Sequence, residues 1–393
     1  MSYRVALSAF ILLCAQSSLT FAQEQVSPTA ILTEVYNSET PPKQRFTDQF
    51  LQKIPLTTLS SAIAGVRGKY GKAIRAEGEA GSYHIITKKF RVPATMSLNS
   101  EGRITSLFLR PGFARITSSK ELLEQMKLFP GTTALLLTKN DETVLAHNAD
   151  KALAVGSAFK LAVLVALQDA IETGKAKWSD VIELTDKHIS LPSGILQDMP
   201  VGAPVTLHTL AALMISRSDN TATDMLIHHL GRQTVEAIAA IKPMLTTREM
   251  FQLKADPVLY NNYVRLRVED RRAFLHDLAS ARLPDAGKVT APLRQLDEWY
   301  IPLERICNWL ARVQKLDLML INPGLAVKSD WQRVAYKGGS NVGVLNYSTW
   351  FKDKAGDSYC LAATWNTADT LQQEKLTSIY TGLIELIRRG QVQ

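Results

Sequence analysis

Residues 161–167 are apolar without a break, and they follow directly on Ser157-Ala158-Phe159-Lys160. A helix that is apolar on every side must be wrapped by other elements, so this chain has to build layers around it. Ser157 and Lys160 stand one helical turn apart and share a face at the start of that helix. Burial disfavours the ammonium of a lysine placed there and moves it toward the range of a general base. The positive end of the helix dipole opposes protonation further. Backbone N–H groups at the same helix start can hold an oxyanion. An N-cap serine beside a solvated lysine is the competing reading, because Ser-x-x-Lys alone arises by chance in a chain this long.

Two further motifs follow in order. Ser218-Asp219-Asn220 sits between a periodic helix at 207–215, with Thr206 as its N-cap, and a second helix at 221–230 closed by Gly231. It places a hydroxyl and an amide on one short loop. Lys337-Gly338-Gly339-Ser340 ends a strand that contains Trp331, Arg333 and Tyr336. It puts a cation beside backbone donors.

The three motifs together resemble the active-site serine enzymes that include class A β-lactamases and penicillin-binding proteins. The resemblance covers about residues 118–390. It implies that Ser157 is the nucleophile, Lys160 its base, Ser218 a proton relay and Lys337 the positive charge facing a substrate carboxylate. It further implies that Asn220 holds a substrate amide carbonyl and that Asp219 braces its loop. Gly339 would admit the substrate closely, and the N–H groups of Ser157 and Ser340 would form the oxyanion hole. Pro192-Ser193-Gly194-Ile195-Leu196 falls where such enzymes have a cleft-edge loop.

The chain departs from the pattern twice. Gly338 replaces the hydroxyl residue of the usual Lys-Thr/Ser-Gly. The Glu-x-x-Leu-Asn context of the class A deacylating glutamate is missing, and that region reads Leu245-Thr246-Thr247-Arg248-Glu249-Met250-Phe251. Glu249 is either a substitute deacylation base or a helix-start acid after Thr247.

The fold class expected is α+β. Strands at 133–137 and 144–146 from one end, and at 333–337, 342–351 and 359–365 from the other, make an antiparallel five-stranded sheet. A helical insertion spans about 161–330 and a terminal helix about 370–388, giving a β-lactamase/transpeptidase-like domain at 118–393. A small α+β domain is expected at 46–115: a helix from Thr47, then strands at 81–88, 90–98 and 103–108 with a hairpin at Asn99-Ser100-Glu101-Gly102. That order resembles the cone-shaped ketosteroid-isomerase/NTF2-like class. The combination resembles the β-lactamase-like protein of clavulanic-acid clusters, a type associated with weak β-lactam or ester hydrolysis. Residues 23–45, polar and with Pro28, Pro41 and Pro42, read as a leader or linker.

Residues 1–22 read as a cleavable signal peptide: Arg4, an apolar stretch at 5–13, and small residues around Thr20-Phe21-Ala22. The expected location is periplasmic or secreted, with no integral membrane span in the mature chain. Cleavage removes Cys14 and leaves Cys307 and Cys360, either paired or free. The formal charge of +8 becomes +7 without Arg4, and the charges are scattered, so nucleic acid is excluded as a partner. The seven histidines make no ligand pattern, and neither metal nor other cofactor is implied. The substrate expected is a small molecule or cell-wall peptide carrying a β-lactam, ester or amide. A D-alanyl peptidase, an esterase and a non-hydrolytic penicillin sensor are the rival readings; oligomeric state is not readable.

Overall fold

The computed structural model describes residues 26–114, 118–279 and 281–392. The expected signal peptide and Cys14 lie outside them.

Pro28–Asn37 forms a helix (α1), where a linker was expected. Pro28 opens it, Ser27 Oγ caps Ala30 N, and Ile31, Leu32, Val35 and Tyr36 are buried along one side. The polar composition of the segment concealed a single apolar face. Helices α2 (Asp48–Lys53) and α3 (Leu56–Tyr70) follow. The strands are β1 (Ala73–Glu79), β2 (Ser82–Thr87), β3 (Phe90–Leu98), β4 (Ile104–Leu109) and β5 (Phe113–Ala114). They form an antiparallel sheet in the order β1-β2-β3-β4, with β5 on β3. Strand β1 is an edge strand whose Arg75, Glu77 and Glu79 hid it from a hydrophobic reading. Ile31, Tyr36, Phe46, Ile63, Ile85 and Val92 share one core between helices and sheet.

The second sheet starts after α4 (Ser119–Lys127) with the hairpin β6 (Thr132–Lys139) and β7 (Glu142–His147), then β8 (Leu153–Ala154). The buried helix α5 (Lys160–Glu172) leads into the helical region. That region holds the ladder β9 (Val181–Glu183) with β10 (Pro204–Thr206), and α6 (Leu207–Ser216), α7 (Asn220–Leu230) and α8 (Arg232–Ala239). It continues through α9 (Thr247–Ala255), α10 (Pro257–Arg265) and α11 (Val268–Leu278) to β11 (Tyr300–Ile301), which pairs with β8, and α12 (Leu303–Val313). The chain then returns to the sheet as β12 (Arg333–Tyr336), β13 (Gly339–Asn341), β14 (Val344–Lys352) and β15 (Ser358–Asn366), and ends in α13 (Gln373–Arg388).

The order is β12-β14-β15-β6-β7, with β13 also on β14. β12 and β13 pair successive stretches of β14, Tyr336 opposite Thr349 and Gly339 opposite Asn346, so they are one edge strand interrupted at Lys337-Gly338. Side chains alternate across the sheet. Leu135 and Leu137 face the core built with α4 and α13, whereas Ala134 and Leu136 face the core around α5 and α12. All of residues 161–167 are buried, as an all-apolar helix demands. Cys307 of α12 and Cys360 of β15 form a disulfide, the pairing the sequence left open. Among the described residues no helix is long and apolar enough to cross a membrane.

The two sheets are joined across α13 by one buried carboxylate. Glu385 accepts hydrogen bonds from Arg388 (2.8 Å) and Arg389 (2.6 Å), and lies 3.2 Å from His84 Nε2 and 3.5 Å from Arg91. Burial pushes its carboxyl up, but hydrogen bonds from Arg388 and His84 outweigh burial and hold it below the ordinary value. The ionised form is therefore the one favoured by folding. Its contribution is complete above the unfolded carboxyl pKa and is lost as pH falls through the lower folded value. Glu385→Ala leaves this cluster of cations uncompensated, and urea denaturation at pH 7 is expected to register a loss of about 3–5 kcal/mol.

Candidate active site

The site begins at a tight turn. Gly156–Phe159 is a 3-10 turn that runs straight into α5, so Ser157 stands just ahead of the buried helix and Lys160 is its first residue. Gly156 has φ +50, and a Cβ on it would lie 3.0 Å from Ser340 N. A Cβ on Gly339 would lie 2.2 Å from Val155 O and 2.4 Å from Ser157 N. Only glycine lets β13 press its backbone onto the serine turn.

Ser218 is where the three motifs meet. Its φ of +57 is unusual for a residue with a side chain and turns its carbonyl toward α5. Ser218 O accepts from Lys160 Nζ at 2.5 Å and from Ser193 Oγ at 2.7 Å. Ser218 Oγ accepts from Lys337 Nζ at 3.0 Å and lies 3.4 Å from Lys160 Nζ. Lys160 Nζ donates also to Asn220 Oδ1 at 2.6 Å, and Lys337 Nζ to Gly338 O at 2.6 Å. Asp219 braces the loop from below. Its Oδ2 accepts from Ile195 N and Leu196 N, its Oδ1 from Ala222 N, and a Cβ on Gly194 would lie 2.3 Å from its carboxyl carbon.

Both lysines are almost wholly buried. Burial, and then the charge of Lys337, hold Lys160 well below the usual lysine pKa. Burial alone brings Lys337 down to about 7. Desolvation outweighs the attraction of Asp224 and Asp219 for Lys160, so loss of its proton is favoured.

A cleft of about 380 Å³ opens over these groups. Ser157, Ser218, Lys337, Gly339 and Ser340 line it, so these expected residues are brought together. Lys160 lies beneath, reached through Ser218 and Asn220. Two other expected residues do not line the cleft, and for Glu249 the structure shows the helix-start position that the sequence offered as one of two readings. Asn220 is not a cleft wall: its side chain is buried, and its Nδ2 donates to Leu191 O at 2.8 Å while its Oδ1 holds Lys160. It braces the lysine and the cleft-edge loop. Glu249 is the N3 residue of a capping box on α9, bonded to Thr246 N, and its two oxygens take the Arg232 guanidinium at 2.6 and 2.8 Å. A carboxylate committed to an arginine fork and a helix start is not a base poised over the cleft.

The sequence reading missed Arg217, Asn322 and Tyr336 as cleft walls. Asn322-Pro323-Gly324 carried a turn signal, and Tyr336 stood next to Lys337. Among the described residues no Asp or Glu lines the cleft, and no group of three or more His, Cys, Asp or Glu is placed to hold a metal.

The family profile described as "Beta-lactamase enzyme family" matches residues 118–287. A β-lactamase from Sphaerobacter thermophilus superposes with a TM-score of 0.50 at 18% identity, over 69% of this chain and 97% of that one. The fold is that of a β-lactamase. A β-lactamase from Desulfarculus baarsii gives the same TM-score of 0.50 at 17% identity, over 68% of this chain and 96% of that one. No curated protein matches the chain. Within the β-lactamase fold the Ser157 turn, the Ser218 loop and the Lys337 strand come from three distant segments, and backbone packing at Gly339 is what seats β13 on the serine turn. Gly339→Ala is expected to force β13 off the serine turn at a cost of about 1–3 kcal/mol, read by thermal unfolding.

Proposed function

We propose that the protein is an exported serine hydrolase that works through an acyl-enzyme on β-lactam, ester or amide substrates. The observation that carries this reading is the meeting of Lys160 and Lys337 on Ser218, in a cleft walled by Ser157. Neutral Lys160 has two N–H bonds, which its two short contacts to Ser218 O and Asn220 Oδ1 employ. Its lone pair is left to take the Ser157 proton as Oγ attacks the carbonyl carbon. Lys337 keeps the Ser218 hydroxyl oriented, so Ser218 can pass that proton to the leaving nitrogen or oxygen. The N–H groups of Ser157 and Ser340, on segments pressed together at Gly339, would hold the oxyanion.

The commitment of Glu249 to Arg232, with no carboxylate lining the cleft among the described residues, favours slow release of the acyl group. Turnover on β-lactams is therefore weak and the adduct long-lived, as in a penicillin-binding protein. The signal-like residues 1–22 and the Cys307–Cys360 disulfide both support an oxidising compartment, periplasmic or extracellular. Residues 46–115, together with α1, which shares their core, are assigned an NTF2-like, non-catalytic domain on the helix-then-sheet order.

Intact-mass spectrometry with a chromogenic cephalosporin tests the mechanism. The wild type should gain an adduct that outlasts the colour change, and Ser157→Ala should lower labelling by at least about a thousand-fold. Sustained colour without a stable adduct would instead mark an efficient hydrolase, and labelling that survives Ser157→Ala would refute the nucleophile.

The pH dependence follows from the two lysines. The acylating form needs Lys160 neutral and Lys337 charged. With Lys337 lowered to about 7, the second-order acylation rate is expected to fall as pH rises through that value. Lys337→Arg, which retains its charge, should move that alkaline limb upward.

A further inference from the structure

We propose that Tyr336 supplies the substrate-facing hydroxyl that the Lys337-Gly338-Gly339-Ser340 motif lacks, and that it makes the site selective for acyl donors carrying a carboxylate. This deepens the acyl-enzyme reading and rests on it. Gly338 is not an empty position. A Cβ built on it would lie 2.1 Å from Tyr336 Oη and 2.9 Å from Asn346 O, so the phenol oxygen occupies the space where the side chain of residue 338 would begin. A side chain at 338 and the phenol in its present place exclude one another.

The ring is held in that place. Gly324, at φ +62, lies against its other end, and a Cβ there would come within 2.5 Å of Cγ and Cδ2 of Tyr336. One glycine thus makes room for the ring and another for the hydroxyl. The loop that carries Gly324 is fixed in turn: Asn322 Nδ2 donates to Ser216 O at 3.0 Å, and Gly324 N donates to Asn322 Oδ1 at 2.9 Å.

The hydroxyl is free to serve a ligand. Tyr336 lines the cleft, and its Oη has no hydrogen-bond partner among the described residues. Burial, with Tyr347 beside it, holds the phenol well above its usual pKa, so it remains a proton donor across the physiological range. The same cleft presents the Lys337 ammonium and the exposed Arg217 guanidinium. An O–H donor and two cations, with no opposing carboxylate in the cleft among the described residues, suit a substrate carboxylate, and a hydrogen bond to a charged acceptor is stronger than one to a neutral group.

The test separates recognition from chemistry by using Ser157→Ala protein, which binds without being acylated, and calorimetric titration with benzylpenicillin and its methyl ester. The free acid is expected to bind at least about ten-fold more tightly than the ester. Ser157→Ala/Tyr336→Phe, which keeps the ring and removes only the hydroxyl, should lose most of that preference. An unchanged preference in the Phe variant overturns the assignment, as does equal binding of acid and ester, or binding of neither, in Ser157→Ala. Labelling of wild-type Ser157 by the neutral ester p-nitrophenyl acetate checks the acyl-enzyme reading separately. It needs no carboxylate, so its failure and the failure of the Tyr336 assignment are told apart.

Discussion

Two buried lysine amino groups leaning on one serine are the constraint around which this molecule is organised. Taking a cation out of water is costly unless the protein returns hydrogen bonds and charge. Lys160 receives three oxygens, one of them at 3.4 Å, and Lys337 receives two, yet among the described residues no carboxylate touches either of them. The attraction of Asp219 and Asp224 reaches Lys160 without contact. Both carboxylates are already spent on backbone N–H groups: Asp219 on the cleft-edge loop and α7, Asp224 on the start of α9. The result is a pair of lysines that surrender protons readily. The apolar wrapping of α5, the break between β12 and β13 and the left-handed turn at Ser218 all serve to keep them there.

The positions of the residues proposed to carry the chemistry were legible in the sequence because their spacing reports the elements that hold them. Ser157 and Lys160 one turn apart, Ser218 between two helices and Lys337 at a strand end all stand where that reasoning put them. The resemblance also carried the sheet drawn from both ends of the domain. What escaped were features that depend on partners distant in sequence. Cys307 and Cys360 carry no local sign of pairing. Asn220 looked open until Leu191 claimed its amide, and Glu249 until Arg232 claimed its carboxylate. α1 was lost because a short helix with one apolar face and a leading proline has the composition of a linker. β1 was lost because an edge strand tolerates the charges that argue against a strand.

Gly338 illustrates how a motif can mislead when read one position at a time. As a letter in Lys-Gly-Gly-Ser it is a missing hydroxyl. In three dimensions it is a space cleared for a neighbour, matched by a second clearing at Gly324. The carbonyls of Gly324 and Ala326 lie 3.5 Å from the Arg110 guanidinium, which leaves the first sheet just after β4. The N-terminal region thus reaches the wall behind Tyr336 through a single loop.

The sheet that presents Lys337 is assembled from the two extremes of its domain, with Leu136 of β6 opposite Ala362 of β15. Everything between them, including α5 and the Ser218 loop, is made before the partner strand exists. A partly synthesised chain therefore displays the β6–β7 hairpin with one bare flank, the kind of edge that invites pairing with another molecule. Loop closure over so long an insertion also places the molecule among slow folders. The interval between emergence of β6 and arrival of β15 is thus when the chain's open strand edge is available to its own copies.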